Sequence, residues 1–293
     1  MEQKLKVAVI GCGGISGCHL EAYSKNPNVE IYALCDVNEK NLNRRGYQYH
    51  VERRYTDKDK MLAELPEIDA VSVCTWNAAH AECTIAALNA GKHVLCEKPM
   101  AMNAAEAQAM LDAAKRNDRL LMIGFVRRFG NDCTIAKDLI EHDRMGDIYY
   151  AKATYLRRNG CPGGWFGDKA RSGGGPLIDI GTHALDLTLW EMNNYEPAMV
   201  TGSTFRKLAD HENSANAWGP WDPKKFTVED SAFGFIKMKN GATIFLEASW
   251  ALNVSQSKEA ATTLCGTKGG AELIPRGMGT DFELKMNSTR YGR

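Results

Sequence analysis

The first 125 residues alternate short apolar runs with stretches of helical periodicity, and this alternation constrains the fold more than any other feature. Strands that alternate with helices through short connections are typical of a parallel sheet covered by helices. We therefore predict that residues 1–125 form an α/β domain with a doubly wound parallel sheet. The predicted strands are 6–10, 30–35, 70–74, 93–96 and 120–125, and the predicted helices are 16–25, 39–47, 58–65, 80–90 and 104–117.

The pattern changes near residue 147, where longer strand-like segments follow one another. The Lys-Asn-Gly-Ala stretch at 239–242 has the residues of a tight hairpin turn. Residues 126–293 are therefore predicted to form an α+β domain with an open, mostly antiparallel sheet. Its predicted strands are 147–158, 198–206, 228–238, 242–251 and 261–265, and its predicted helix is 177–192.

Charge and cysteine content argue against several classes of protein. The chain has 36 basic and 36 acidic residues, and this balance favours neither a nucleic-acid nor a membrane partner. Its apolar runs are shorter than the ~20 residues of a membrane span, and its first residues enter a strand without a signal-peptide layout. The nine cysteines are scattered without a Cys-x-x-Cys pair, which favours a reducing, cytoplasmic location. No metal site is predicted.

A glycine-rich turn follows the first predicted strand and leads into the first predicted helix. Gly11 and Gly13 match the first two glycines of a dinucleotide-binding fingerprint, and Ser16 takes the place of the third. The backbone of such a turn, which here includes Gly14 and Ile15, approaches a pyrophosphate at the helix N-terminus. The sequence therefore predicts a dinucleotide site.

Asp36 directly follows the second predicted strand, 20 positions after Ser16, where an acidic side chain accepts hydrogen bonds from the adenosine ribose. A carboxylate at this position repels a 2′-phosphate, so we predict NAD as the cofactor and rank NADP below it. The alternative is that Asp36 is an ordinary turn residue at the end of a strand.

Polar residues also follow the third and fourth predicted strands, at the edge where such sheets bind ligands. Glu97 and Lys98 precede a proline that cannot extend the strand's hydrogen bonding, and we expect both near the nicotinamide. The alternatives are a solvated loop lysine at Lys98 and a helix-capping role for His80. The residues predicted to border the cofactor after the third strand are Thr75, Trp76, Asn77 and His80.

The predicted helix over 177–192 carries a second group of chemical side chains. Three glycines and a proline precede it, and Asp179, His183 and Asp186 are spaced so that they share one helical face. The alternative is a helix cap with a surface ion pair.

Together and in this order, these motifs resemble the glucose–fructose oxidoreductase/inositol dehydrogenase (Gfo/Idh/MocA) family. The resemblance rests on the glycine turn with Asp36, on Glu97-Lys98-Pro99 and on segment 173–186, and it runs from residue 4 to about residue 270. It implies an N-terminal Rossmann domain and NAD(P)-dependent oxidation or reduction of a sugar, cyclitol or related polyol. It also implies a C-terminal domain whose open sheet forms a dimer or tetramer interface. The chain ends earlier than most members, which often add a strand and a helix, so a truncated chain is one interpretation.

The resemblance further implies that Lys98, Asp179 and His183 are the catalytic residues. Oxidation of a secondary alcohol removes a proton from oxygen and a hydride from carbon, and NAD accepts the hydride. Histidine, whose ordinary pKa is about 6.5, suits the general base, and a lysine ammonium can stabilise developing negative charge. We expect Asp179 to bind a neighbouring hydroxyl or to tune the other two groups.

Further substrate contacts are predicted beside these three residues. Basic side chains suit a carboxylate or phosphate, and a tryptophan can stack on a sugar ring. The alternatives are structural ion pairs for the arginines and a core position for the tryptophan. The candidates are Arg127, Arg157, Asn159 and Trp165.

Three functions stay open on sequence grounds, and an NAD-dependent sugar or polyol dehydrogenase leads. The others are a glycosidase or lyase that oxidises its substrate transiently with held NAD, and a non-catalytic NAD-binding sensor. Apolar side chains on both faces of strands 228–238 and 242–251 further predict a homodimer or a dimer of dimers, a homotetramer.

Overall fold

The N-terminal unit, Met1–Gly124, is built on a parallel sheet. The computed structural model describes residues 4–211, 216–217, 222–275 and 282–288. The strands of this unit are β1 (Leu5–Ile10), β2 (Val29–Cys35), β3 (Arg54–Tyr55), β4 (Ala70–Val73), β5 (His93–Cys96) and β6 (Leu121–Ile123). Its helices are α1 (Ser16–Lys25), α2 (Glu39–Gln48), α3 (Lys58–Glu64), α4 (His80–Asn89) and α5 (Ala104–Arg116). Within residues 4–124 the sheet order is β3-β2-β1-β4-β5-β6, with all pairs parallel, so the prediction of a doubly wound α/β fold is confirmed.

Helices cover both faces of this sheet. On one face Val9 and Leu34 pack with Leu20 of α1 and Leu42 of α2 in a buried cluster. A larger cluster on the other face joins the sheet to buried residues of α3, α4 and α5. Because both faces are buried, the strands appear in the sequence as nearly continuous apolar runs rather than as alternating ones.

The order of the strands determines where this unit can bind a ligand. β1 lies between β2 and β4, so the strand order reverses at the carboxyl ends of β1 and β4. Open α/β sheets bind ligands in the crevice at such a switch point. The glycine turn, Asp36 and the residues after β4 and β5 therefore all lie at the edge where a ligand is expected.

The second unit, Phe125–Arg293, is built on a mostly antiparallel sheet. Its strands are β7 (Ile148–Leu156), β8 (Pro197–Phe205), β9 (Ser231–Met238), β10 (Thr243–Ser249), β11 (Lys258–Gly266), β12 (Gly269–Pro275) and β13 (Phe282–Ser288). Its α-helices are α6 (Asn131–Glu141), α7 (Lys169–Ser172) and α8 (Thr182–Met192). Within the described part of this unit the sheet order is β13-β12-β11-β7-β10-β9-β8, and β7–β10 is its parallel pair. The predicted α+β class and mostly antiparallel sheet are confirmed.

Helix α8 covers one face of this sheet. Ala184 of α8 belongs to a buried cluster with Ile236 of β9, Ile244 of β10 and Leu264 of β11. The predicted hairpin turn at 239–242 is confirmed, because β9 and β10 are antiparallel neighbours and Gly241 has φ +91°. Among the described residues, no helix has the length and apolar character needed to cross a membrane.

Some elements of the second unit are not assigned by the sequence pattern. They are α6, the short helix α7, β12 and β13. The buried side chains of α6 are the small Cys133 and Ala136, which pack with Leu187 and Leu273. Helix α6 therefore joins the core between α8 and β12.

Candidate active site

The glycine turn after β1 has the geometry of a pyrophosphate cradle. Gly11 has φ +93°, and a Cβ there would lie 2.6 Å from the Cys74 backbone, so both conformation and space require glycine. At Gly13 and Gly14, by contrast, a Cβ would meet no heavy atom of the described residues within 4 Å, apart from adjacent chain. Helix α1 begins two residues later at Ser16, which is fully buried and donates a hydrogen bond to the Gly13 carbonyl (2.8 Å). Open backbone at a helix N-terminus fits the dinucleotide predicted here.

Asp36 lies directly beside this turn. Its Oδ2 accepts a hydrogen bond from the Cys12 N–H at 2.6 Å, and its Oδ1 accepts one from the Asn38 N–H at 2.7 Å. Each carboxylate oxygen can accept more than one hydrogen bond, so these contacts leave capacity for ribose hydroxyls. The structure thus places a negative charge against the cofactor loop.

Arg45 of α2 is a residue of the loop that the sequence prediction does not include. Its side chain is 8% exposed, and its guanidinium donates to the carbonyls of Gly13 (3.0 Å) and Gly14 (3.1 Å). These bonds hold the loop carbonyls turned toward α2. Arg45 lies on α2, far from the glycine turn in sequence, so no motif near the turn indicates that it binds these carbonyls.

The loop after β4 is tied to the loop after β5 by His80. This histidine is 1% exposed; its Nδ1 lies 2.7 Å from the Pro99 carbonyl oxygen and its Nε2 lies 3.2 Å from that of Thr75. A carbonyl only accepts, so the shorter contact assigns the proton to Nδ1. Burial lowers the pKa of His80, and the two carbonyls raise it by a smaller amount. The net lowering of the pKa favours the neutral ring. Of its neighbours, Trp76 is partly exposed and Asn77 is buried.

Glu97 and Lys98 stand at the end of β5, and Lys98-Pro99 is a cis peptide. Residue Glu97 is 7% exposed as a whole. Its Oε1 contacts His19 Nε2 at 2.8 Å, and its Oε2 accepts from the Lys98 N–H at 3.3 Å. Burial raises the pKa of Glu97, but His19 and Lys98 outweigh it and hold the pKa below its ordinary value. The carboxylate is therefore ionised at neutral pH.

In the second unit, the predicted catalytic helix begins with a π turn, Leu177–Gly181, and continues as α8. Single π turns occur often at functional sites. Asp179 lies in this turn, is 5% exposed and accepts a hydrogen bond from Trp250 Nε1 at 2.9 Å. His183 follows in the first turn of α8. Because a π turn shifts the helical register, the spacing of the sequence does not by itself fix a shared face.

Two glycines let the backbone of this turn approach its neighbours. A Cβ at Gly175 would lie 2.0 Å from the Glu229 carbonyl oxygen, and one at Gly181 would lie 3.0 Å from Ala248 Cβ. This close packing fixes the start of the helix against the sheet. Side chains at a functional site need such a rigid support to keep their geometry.

Tyr155 of β7 lies beside His183, and Arg157 directly follows this strand. The His183 ring centroid lies 6.3 Å from that of Tyr155, and Arg157 lies 5.4 Å from the Tyr155 ring. Arg157 is 8% exposed and donates to Glu259 (3.2 Å). Burial would lower the pKa of Arg157, yet the net effect of Tyr155, Glu259 and Asp179 is to raise it. The structure thus brings Asp179, His183 and Arg157 into one neighbourhood.

The remaining predicted substrate residues have partners of their own. Arg127 forms an ion pair with Asp132 at 2.9 Å and lies 3.6 Å from the Phe282 ring. Trp165 stacks on Phe166 at 3.9 Å between ring centroids. Asn159 is exposed and forms an isolated bridge with Ala251.

Asp186, which shares the predicted motif, is held by an ion pair with Arg128. The residues that sequence reasoning missed are His19, Arg45, Tyr155, Trp250 and Glu259, each brought in by a long-range contact.

Comparison with protein families decides the assignment. Residues 5–125 match the model described as an oxidoreductase family with an NAD-binding Rossmann fold. Residues 134–272 match the model of the GFO/IDH/MocA C-terminal domain. The chain belongs to the Gfo/Idh/MocA family. The resemblance inferred from the motifs is confirmed.

Relatives within this family are sugar and inositol dehydrogenases. The chain is 37% identical over 279 residues to D-glucoside 3-dehydrogenase of Escherichia coli, covering 94% of this chain and 79% of that protein. It is 32% identical over 209 residues to myo-inositol 2-dehydrogenase of Thermotoga maritima, covering 71% of this chain and 60% of that protein. Among solved structures, levoglucosan dehydrogenase in complex with NADH superposes with a TM-score of 0.80 at 25% identity, covering 98% of this chain and 80% of that one.

These relationships support the predicted activity. This member of the Gfo/Idh/MocA family is an NAD-dependent oxidoreductase that acts on sugars or polyols. The prediction of NAD as the cofactor is confirmed as well.

Proposed function

We propose that this enzyme oxidises a ring carbinol of a D-glucoside with NAD, and that position 3 of the sugar is the reacting centre. The observation that carries the proposal is the 37% identity to D-glucoside 3-dehydrogenase, which extends over 94% of this chain. Lys98, Asp179 and His183 are the proposed catalytic residues, because they occupy the family's motif positions in this sequence.

Each residue has a distinct part in the proposed reaction. When bound, NAD supplies the hydride acceptor. His183 takes the proton of the reacting hydroxyl as general base, and the Lys98 ammonium stabilises the negative charge that develops on that oxygen. Asp179, oriented by its hydrogen bond from Trp250, accepts a hydrogen bond from a neighbouring hydroxyl. Arg157 and Tyr155 line the His183 neighbourhood and are proposed to contact the sugar.

A matched substrate panel tests the proposal. NADH formation is followed by absorbance with methyl D-glucoside, myo-inositol and levoglucosan. We expect kcat/KM to be at least about tenfold higher for the glucoside, which corresponds to ~1.4 kcal/mol. NMR of the product should show a ketone at C3. Myo-inositol as the best substrate contradicts the glucoside assignment, and release of the free sugar without net NADH indicates the transient-oxidation alternative instead.

We further propose that Asp36 makes NAD preferred over NADP. The charge of Asp36 lies beside the cofactor loop, where a 2′-phosphate would be repelled. We expect NAD to bind at least about tenfold more tightly than NADP, and we expect a smaller ratio of the two Kd values in Asp36→Asn. Asparagine keeps one acceptor for the Cys12 N–H and loses both the charge and the acceptor for the Asn38 N–H. Titration of both cofactors is therefore combined with the thermal midpoint, which reports any change in loop structure. Equal affinities in the unmutated enzyme contradict the proposal.

The second unit is proposed to bind the substrate and to form a homodimer or homotetramer through its open sheet face. Aromatic rings line that face, with Phe245 5.3 Å from Phe235 and 6.0 Å from Tyr150 between centroids. Phe245 is 41% exposed, and a partner sheet would cover it. We expect light scattering to show an oligomer at micromolar concentration and Phe245→Lys to dissociate it. Leu120→Lys, at an exposed position of the first unit, is the control; a monomeric unmutated protein contradicts the proposal.

A cytoplasmic location is also proposed. The nine cysteines, all within the described ranges, are free thiols, and most are buried. Chains exposed to an oxidising compartment commonly pair such residues, whereas a reducing cytosol leaves them free.

A further inference from the structure

The contact between His19 and Glu97 links two parts of the N-terminal unit that are 78 positions apart in sequence. His19 is the fourth residue of α1, the helix whose N-terminus opens at the glycine turn. Glu97 follows the last residue of β5 and directly precedes Lys98. Helix α1 is therefore connected directly to the residue that precedes the proposed catalytic lysine.

The pair is shielded from water. The His19 and Glu97 side chains are 10% and 9% exposed, and the Nε2–Oε1 distance is 2.8 Å. Ion pairs on the surface contribute little to stability because water and salt screen them. A carboxylate shielded from water, by contrast, is strongly destabilised when it loses its partner. The Glu97 carboxylate is thus held in one orientation by His19.

Glu97 has little room to move. A Cβ at Gly124 would lie 3.2 Å from Glu97 Oε1, so the carboxylate packs closely against that glycine. Its second oxygen accepts from the Lys98 N–H at 3.3 Å. On the other side of Lys98, the Pro99 carbonyl is bound by His80 at 2.7 Å. Contacts on both sides therefore fix the backbone from which the Lys98 side chain extends.

We propose that His19 is a positioning residue, which acts through Glu97 to hold the Lys98 backbone in the geometry that catalysis needs. The inference rests on the proposed function, in which Lys98 stabilises the developing oxyanion. His19 itself does not take part in proton or hydride transfer. Displacement of a catalytic group by about 1 Å can reduce turnover roughly 100-fold, so an effect on rate is expected from loss of this support.

Three single variants separate positioning from general stability. His19→Ala removes the partner of Glu97, whereas His19→Gln keeps an N–H donor at a similar reach. Tyr23→Phe is the matched control on α1, because it removes the hydroxyl that hydrogen-bonds Ser72 and keeps the ring that packs edge-on against His19 at 6.3 Å. With methyl D-glucoside and NAD, we expect His19→Ala to lower kcat about 10- to 100-fold. The Kd for NAD should change less than about threefold, and His19→Gln and Tyr23→Phe should stay within about threefold of the unmutated kcat.

A structural readout that needs no substrate accompanies the kinetics. Hydrogen–deuterium exchange of a peptide spanning residues 95–102 should become at least about fivefold faster in His19→Ala and stay unchanged in the other two variants. This measurement keeps the inference testable even if methyl D-glucoside is turned over slowly.

A double-mutant cycle tests the route through Glu97. If His19 acts by holding that carboxylate, His19→Ala should lower kcat no further in a Glu97→Gln background. An unchanged kcat in His19→Ala, a loss of NAD affinity as large as the loss of kcat, or additive effects in the cycle overturns the inference. Lys98→Ala separates the two levels: if it retains turnover, the proposed function fails, and if it is inactive while His19→Ala is normal, only the positioning role fails.

Discussion

Replacing His183 or Lys98 by alanine should lower kcat by about 10²–10⁴-fold, the range expected for loss of a general base or of electrostatic stabilisation. Both variants should keep their fold and most of their affinity for NAD. The reason is that the pyrophosphate cradle at Gly13 and the carboxylate of Asp36 involve neither side chain. Isothermal titration with NAD and the thermal midpoint check both points.

The pH profile gives the sharper form of this prediction. A general base must be unprotonated, so kcat/KM of the unmutated enzyme should fall as the pH is lowered through the pKa of that base. The acid limb should be absent in His183→Ala. Thr188→Val is the control, since it alters a buried hydroxyl of the same helix that donates to the Ala184 carbonyl. An alanine variant that retains full turnover and the same acid limb would show that His183 is a structural residue.

Asp179→Asn distinguishes two roles for the third residue. The carboxylate of Asp179 accepts from Trp250, and an amide oxygen can keep that bond. A rise in KM with little change in kcat would indicate that Asp179 holds a substrate hydroxyl. A fall in kcat would indicate that its charge tunes the reacting groups.

The elements that the sequence predicts well are those encoded locally. Strands β1, β2, β4 and β5 are short buried runs bounded by helices, and their predicted limits differ from the observed ones by at most one residue. The glycine turn is equally local, because it needs a strand, two glycines and a helix in succession. Asp36 can be identified in the sequence because the acidic residue of this fingerprint lies about 20 positions after the glycine turn.

Other features depend on contacts that the sequence does not announce. His19 meets Glu97 across 78 positions, and Trp250 meets Asp179 across 71. The predicted shared face of Asp179, His183 and Asp186 assumes a regular α-helical period. The π turn at Leu177–Gly181 is a local departure from that period, which the sequence pattern does not indicate. The sequence therefore identifies candidate functional residues, but the side chains that orient them are known only once the fold is described.

Gly13→Val should raise the Kd for NAD by about 100-fold or more, equivalent to ~2.7 kcal/mol, while leaving the fold nearly intact. A Cβ at Gly13 meets no described heavy atom within 4 Å beyond the adjacent chain, and its φ is not in the left-handed region. The protein therefore tolerates a side chain there. The valine side chain would fill the space in which the loop backbone approaches a pyrophosphate. The substitution should therefore weaken NAD binding rather than destabilise the fold.

Gly11→Ala should produce the opposite result, and the contrast makes the prediction specific. Gly11 has φ +93°, and its Cβ would lie 2.6 Å from the Cys74 backbone, so alanine must strain the turn and displace β4. We expect a lower thermal midpoint without NAD for Gly11→Ala and an unchanged one for Gly13→Val. At the same NAD concentration, the midpoint of the unmutated enzyme should rise more than that of Gly13→Val. If Gly13→Val still binds NAD with unmutated affinity, the open backbone at this turn is not where the pyrophosphate lies.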